Sequence, residues 1–307
     1  MPKMNISRSV HINAPSSKVY NTLTDMANWK MWSPWIIAEP EAKIDVKPDN
    51  NAYSWEGKRL GSGGMEITKT KENKEVTYDL NFIKPWKSYA AIKFDLEEKN
   101  NGTEVTWHMD SSLPWFMFWM KKNMEAFLGS DYERGLLLLK DYVEDGKAHS
   151  HLGWNGVKEY PGCTFVGIKR STSQAEMPSL MQADFERLIA YAMTLDGSKK
   201  EESFSQYHKF DFVKKTASYT CGVPVKSAPE NLPKGMFVGQ LAPTKVYQIE
   251  HTGPYVHIGN AWSTGHMMMR NKEFKGSKKY HPFETYGNSP KNTAPNDLIS
   301  YINFPLK

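Results

Sequence analysis

Between residues 43 and 109 the chain repeats one pattern, a short segment of alternating polar and apolar residues closed by a turn. The segments are 52–56, 65–68, 76–82, 91–96 and 103–109, and Gly61-Ser62-Gly63-Gly64, Lys84-Pro85 and Asn100-Asn101-Gly102 mark turns among them. Alternation gives each strand one wet face and one buried face, so these residues predict a curved antiparallel sheet. A strand at 4–12, with Ile6, Arg8, Val10 and Ile12 on one face, precedes them. Asn13-Ala14-Pro15 then opens a helix with the stripe Val19, Leu23 and Met26. After Pro114 the period changes, and a helical stretch runs to about residue 144 with the stripe Met120, Met124, Phe127, Leu128, Leu136, Leu139 and Val143. An antiparallel sheet followed by one long amphipathic helix must bury its apolar face on that helix, which gives an α+β domain of the helix-grip kind.

Three tryptophans, Trp29, Trp32 and Trp35, recur at every third residue. They read equally as a gate over the sheet's open end or as packing. The run Trp115-Phe116-Met117-Phe118-Trp119-Met120 reads as helix core in preference to a lid or a membrane contact. Asn13-Ala14-Pro15, Trp32-Ser33-Pro34-Trp35, Gly102-Thr103-Glu104-Val105-Thr106-Trp107 and Gly129…Glu133…Gly135-Leu136 together resemble the SRPBCC superfamily, also called START-like or polyketide-cyclase-like. That resemblance implies an apolar cavity between sheet and helix, with Trp32, Trp35 and Phe127 as candidate ligand contacts. It does not imply one activity.

Asp145-Gly146-Lys147-Ala148-His149-Ser150-His151 is polar and aperiodic, and we expect the boundary between domains 1–146 and 153–307 there. His149 and His151 have no further ligand nearby in sequence, so a solvated linker is the plainer reading than a metal site. Beyond them the chain reads as two copies of strand, helix, strand, strand. The first starts at 162–169, with helical stripe Met181, Phe185, Leu188 and Ala192. The second starts at 245–250, with stripe Tyr255, Ile258, Trp262 and Met269. Each copy is too small to bury a sheet face alone, so two should share one sheet and leave a cleft at their junction.

Within the second copy, Glu284 sits among aromatics in Pro282-Phe283-Glu284-Thr285-Tyr286. By alternation alone it is a strand carboxylate salt-bridged to Lys278 or Lys279. That strand and Glu250-His251-Thr252-Gly253-Pro254-Tyr255 resemble GyrI-like domains, the effector-binding modules of multidrug-responsive regulators. Tyr219 to Val225 resembles that family's first-copy strand. The resemblance implies a pseudo-two-fold α+β domain. Its pocket would hold Glu284 and Tyr286, with Tyr255, Trp262 and Tyr219 as further ligand contacts, for cationic or amphipathic ligands. Some GyrI-like proteins hydrolyse strained electrophiles, and on that reading Glu284 is a general base and Tyr286 its hydrogen-bonding partner. Trp262 also reads as core, and His266 as a hydrogen-bonded helix histidine.

The chain's 307 residues carry a formal charge of +5, spread without a basic stripe, and no helix-turn-helix is visible. Direct nucleic-acid binding is therefore not expected, although a co-regulator acting through a DNA-binding partner fits the second resemblance. The two cysteines, Cys163 and Cys221, fit a reducing compartment, and no signal peptide or apolar run long enough to span a bilayer is present. Phosphate-loop, H-E-x-x-H, C-x-x-C and G-x-S-x-G motifs are missing, so no cofactor or metal is expected. The reading is a cytoplasmic small-molecule-binding protein, for sensing or sequestration, with hydrolysis as the alternative. The oligomeric state is open.

Overall fold

The computed structural model describes residues 3–195 and 202–307. The chain divides into two compact units, Met1–His149 and Ser150–Lys307.

In the first unit, β1 (Lys3–Ile12), β2 (Lys43–Val46), β3 (Ala52–Gly57), β4 (Gly61–Lys71), β5 (Glu75–Lys84), β6 (Ser88–Lys99) and β7 (Gly102–Ser112) form one antiparallel sheet in the order β1-β7-β6-β5-β4-β3-β2. The helices α1 (Ser16–Thr24) and α2 (Trp29–Trp32) fill the long β1–β2 connection, and α3 (Lys121–Asp145) closes the unit. The alternation read from β1 and from β5 to β7 is the alternation of burial observed. Helix α3 ends at Gly146, whose φ of 78° suits a residue without a Cβ. It approaches the sheet closely at Gly135, where a Cβ would stand 2.8 Å from the Trp107 ring.

Aromatic rings fill the space between sheet and helix. Trp29 and Trp32 lie 4.4 Å apart, Trp107 stacks on Phe94 at 4.8 Å, and Tyr132 of α3 stacks on Trp107 at 4.0 Å. All five are buried. Of the two readings of the tryptophans, Trp32 takes the packing one, its ring lying against Trp29, Phe94 and Trp107. Trp35 is half-buried, edge-on to Trp107 and Tyr132, with its Nε1 donating to Asp131 at 3.3 Å. Phe127 is 55 % exposed, so the stripe of α3 facing the sheet passes it by and runs through Tyr132, Leu136, Leu139 and Val143. The segment Trp115–Met120 is a 3₁₀ turn with no buried residue, not helix core. Only Met117 packs partly against the core, while Trp115, Phe116, Phe118 and Trp119 are exposed.

In the second unit, β8 (His151–Tyr160), β9 (Cys163–Ser173), β10 (Phe204–Asp211), β11 (Thr216–Val225), β12 (Phe237–Leu241), β13 (Thr244–Thr252), β14 (Phe283–Tyr286) and β15 (Ile299–Pro305) form a second antiparallel sheet. Its order is β12-β9-β11-β10-β14-β15-β13-β8. The helices are α4 (Met177–Ala192) and α5 (Gly259–Arg270). Each repeat has one strand more than the sequence reading gave it. The repeats run β8-β9-α4-β10-β11 and β12-β13-α5-β14-β15, and the first strand of each pairs with the second strand of the other. Both added strands lie at sheet edges, where half-exposed residues and, in β8, Gly153 and Gly156 weaken the alternation. Strand β8 also occupies the end of the stretch read as linker. His149 lies within the first unit and bonds Asp145 through Nε2 at 2.8 Å.

Two outcomes check this picture. Limited proteolysis of the intact chain should cut first within residues 146–150, between the end of α3 and the start of β8. One resistant core retaining both units after prolonged digestion would contradict it. The Trp32→Ala variant should lose about 3–5 kcal/mol of first-unit stability in denaturant melts, the usual cost of emptying a ring-sized core position. A loss under about 1 kcal/mol would mean that the position is not tightly packed.

Candidate functional site

The centre of the second sheet is the pairing of β10 with β14, in the register Phe204↔Thr285, Ser205↔Glu284 and Gln206↔Phe283. Ser205 and Glu284 are directly opposite, so their side chains leave the same face. Tyr207 and Tyr286, two residues on, share it. Helix α5 brings Trp262 onto that face, and its close approach depends on Gly265, where a Cβ would stand 2.2 Å from the Phe304 ring.

Glu284 is 3 % exposed. Its Oε1 accepts a short hydrogen bond from Trp262 Nε1, and its Oε2 accepts from Tyr207 Oη at 3.1 Å and Tyr286 Oη at 3.0 Å. Among the described residues it has no cation partner, so the salt bridge to Lys278 or Lys279 is not formed. Lys279 instead lies over the Tyr280 ring at 4.9 Å. Burial pushes the Glu284 carboxyl above its ordinary value, and the three donors pull it partly back. Burial beside that carboxyl also holds the hydroxyls of Tyr207 and Tyr286 protonated far above their ordinary range. Both tyrosines are therefore donors at any physiological pH.

Rings wall the carboxyl. Tyr207 meets Trp262 edge-on at 5.2 Å and Tyr219 at 6.4 Å. Tyr286 meets Phe185 of α4 and Tyr255, each at 5.7 Å. Tyr255 is 37 % exposed and stands on the surface side of this group. Tyr219 is fully buried on β11 opposite Tyr207, and its hydroxyl has no hydrogen-bond partner among the described residues. Burial pushes that hydroxyl up to about 12. The structure thus gathers Glu284, Tyr286, Tyr255, Trp262 and Tyr219 in one place. Trp32, Trp35 and Phe127 belong to the other unit. His266 is exposed and lies against Trp262 and Phe304.

Tyr207, Ser205 and Phe185 are not among the candidate site residues read from sequence, although residues 207–211 read there as part of the first copy's contribution and Phe185 as part of its helical stripe. A signal for the first two was present. Phe204-Ser205-Gln206-Tyr207 and Phe283-Glu284-Thr285-Tyr286 share the form Phe-x-x-Tyr, and the Ser205↔Glu284 pairing places the two copies about a local two-fold axis. Tyr207 is the counterpart of Tyr286, and Ser205 of Glu284. Its Oγ lies 2.8 Å from Tyr286 Oη, which extends the network by one hydroxyl. The described residues contain no cluster of three or more His, Cys, Asp or Glu suited to a metal ion.

Residues 3–144 match the family model described as polyketide cyclase / dehydrase and lipid transport. Among solved structures, the C-terminal domain of EcmrR is 16% identical, with 52% of this chain and 98% of that one covered and a TM-score of 0.42. EcmrR in its complex with DNA is 15% identical, with 61% of this chain and 66% of that one covered and a TM-score of 0.43. The Aha1 dimer from Colwellia psychrerythraea is 24% identical, with 47% of this chain and 99% of that one covered and a TM-score of 0.36. No curated protein sequence matches the chain. No helix among the described residues is long and apolar enough to cross a membrane.

The raised Glu284 carboxyl has a measurable consequence. The folded chain keeps this proton at pH values where the unfolded chain, with a carboxyl near about 4.3, has released it. The contribution to stability is therefore complete below the unfolded value and is lost as pH rises through the folded one. Glu284→Gln keeps the shape without the titration. Its stability relative to wild type should climb from about pH 4 upward and level off once the folded carboxyl has ionised, as read from denaturant midpoints across pH. A difference independent of pH would mean that Glu284 titrates as an ordinary carboxyl.

Proposed function

With residues 3–144 a polyketide-cyclase-type (SRPBCC) domain, and an acid-centred aromatic site in the unit that follows, we propose that the protein binds small cationic or amphipathic molecules at Glu284, for sensing or sequestration in the cytoplasm. The observation that carries this is a buried carboxyl served by three neutral donors and no cation. An ionised carboxylate in such a place is costly, and a cationic guest supplies the missing counter-charge. The rings of Tyr207, Trp262, Tyr255 and Tyr286 add cation–π attraction on the same side. The resemblance of Pro282-Phe283-Glu284-Thr285-Tyr286 to the GyrI-like pocket strand supports the same ligand class. Because Glu284 is nearly inaccessible, a guest reaches it by displacing a ring, and Tyr255 is the one nearest solvent. The site proposed is therefore in the second unit; in the first, Trp29, Trp32 and Trp107 pack between sheet and helix.

A second reading is hydrolysis of strained electrophiles, favoured by the raised carboxyl and its paired tyrosines. Glu284 would take a proton from water as the water oxygen bonds to a strained carbon. The electrons of the broken C–O bond would stay on the ring oxygen, which takes a proton from Tyr286 or Tyr207.

One variant separates the two. Titration calorimetry with an aromatic quaternary ammonium amphiphile should show Glu284→Gln binding about ten- to a hundredfold more weakly than wild type, corresponding to about 1.5–3 kcal/mol, with a neutral isostere little affected. Equal affinity for the cation in both proteins rejects the binding role. Wild-type turnover of an epoxide probe that disappears in Glu284→Gln, while the neutral isostere still binds, selects hydrolysis.

A further inference from the structure

The largest exposed apolar rings of the first unit gather in two segments. In the turn from Trp115 to Met120, Trp115 is 75 % exposed and Trp119 67 %, and Phe116 and Phe118 also face solvent. In the loop between β5 and β6, Trp86 is 62 % exposed. The sheet register brings the segments together. Phe82 pairs with Ser88 and Ala90 with Ser111, so the β5–β6 loop and the chain leaving β7 emerge from the same end of the sheet. Ser111 Oγ donates to Tyr89 O at 2.7 Å across the gap. The start of α3 lies at that end too, where Glu125 accepts from the backbone N–H of Asn5.

The charges within the two segments are of one sign. Residues 83–89 and 114–123 contain Lys84, Lys87, Lys121 and Lys122 and no acidic residue. Two nearby acids hold their lysines loosely: Lys84 is 3.8 Å from Glu56, both exposed, and Lys121 is 3.6 Å from the half-buried Glu125. Exposed tryptophans with lysines beside them match the two layers of a membrane surface. Indole rings settle at the headgroup boundary, and ammonium groups meet anionic phosphates. The same charge works against a second copy of the chain, whose identical patch would bring four like charges against four. We infer that this end of the first unit docks on anionic lipid surfaces, with Trp86, Trp115 and Trp119 entering the headgroup layer and Lys84, Lys87, Lys121 and Lys122 facing the phosphates. This contact is peripheral and reversible, since the apolar segment is only six residues long. It is independent of the site at Glu284, being carried by residues of the other unit.

The test is co-sedimentation of the full-length chain with vesicles of phosphatidylcholine, with and without phosphatidylglycerol. Binding is expected to the anionic vesicles, much weaker to the neutral ones, and falling with added salt. Trp115→Ser/Trp119→Ser should lower the partition coefficient about tenfold or more. Lys121→Ser/Lys122→Ser should lower it about fivefold per lysine removed. These side chains are exposed, so thermal melts of both variants should match wild type, which separates lost docking from lost folding. No binding of wild-type chain to anionic vesicles overturns the inference, as does binding that survives both double substitutions. A dimer that dissociates in Trp115→Ser/Trp119→Ser, with no vesicle binding by wild type, also overturns it and gives the patch to a second copy.

Discussion

A carboxyl group cannot be taken out of water without compensation, and the second sheet is arranged around one that is. Burial raises the carboxyl of Glu284, and three donors from two strands and a helix limit how far. Those donors converge only because β10 and β14 are neighbours and α5 crosses above them. The neighbouring strands follow from the chain's repetition, in which each half contributes its third strand to the centre of the sheet. Without the exchange of β8 and β12 between halves, each half would end in an unpaired edge one strand sooner, and the central pair would have less sheet to hold it.

What could be read from the residues divides along a physical line. Strands with one wet face announced themselves, as β5 to β7 did, because alternation is a one-dimensional record of burial. Strands β8 and β12 did not, because sheet edges place fewer demands on each residue. Glu284 and Tyr286 were legible as a local pattern. Tyr207 and Ser205 were not singled out, although Phe-x-x-Tyr occurs in both halves, because their importance comes from the pairing of distant strands. The number and direction of donors around the carboxyl is a property of three dimensions only.

The first unit shows how far a family pattern constrains an interior. The sheet, the broken helical connection and the long terminal helix all follow from it. Whether the space between them is open depends on individual side-chain volumes. Here Trp29, Trp32, Phe94, Trp107 and Tyr132 are all buried, and ring packs on ring between sheet and helix. Trp29 and Trp32, three residues apart, lie side by side inside, whereas Trp115 and Trp119 belong to a segment with no buried residue and stay outside.

The axis relating Ser205 to Glu284 is a symmetry of the backbone that the side chains decline to follow. Had both halves kept the acid, two carboxyls would face each other across one pair of residues and compete for a proton, as like charges at contact must. A hydroxyl at one of the two positions leaves a single acid, so Tyr207, Tyr286 and Trp262 have one carboxyl to serve rather than two. The duplicated backbone thereby carries a one-sided centre, and its hydrogen bonds run toward one half of the sheet.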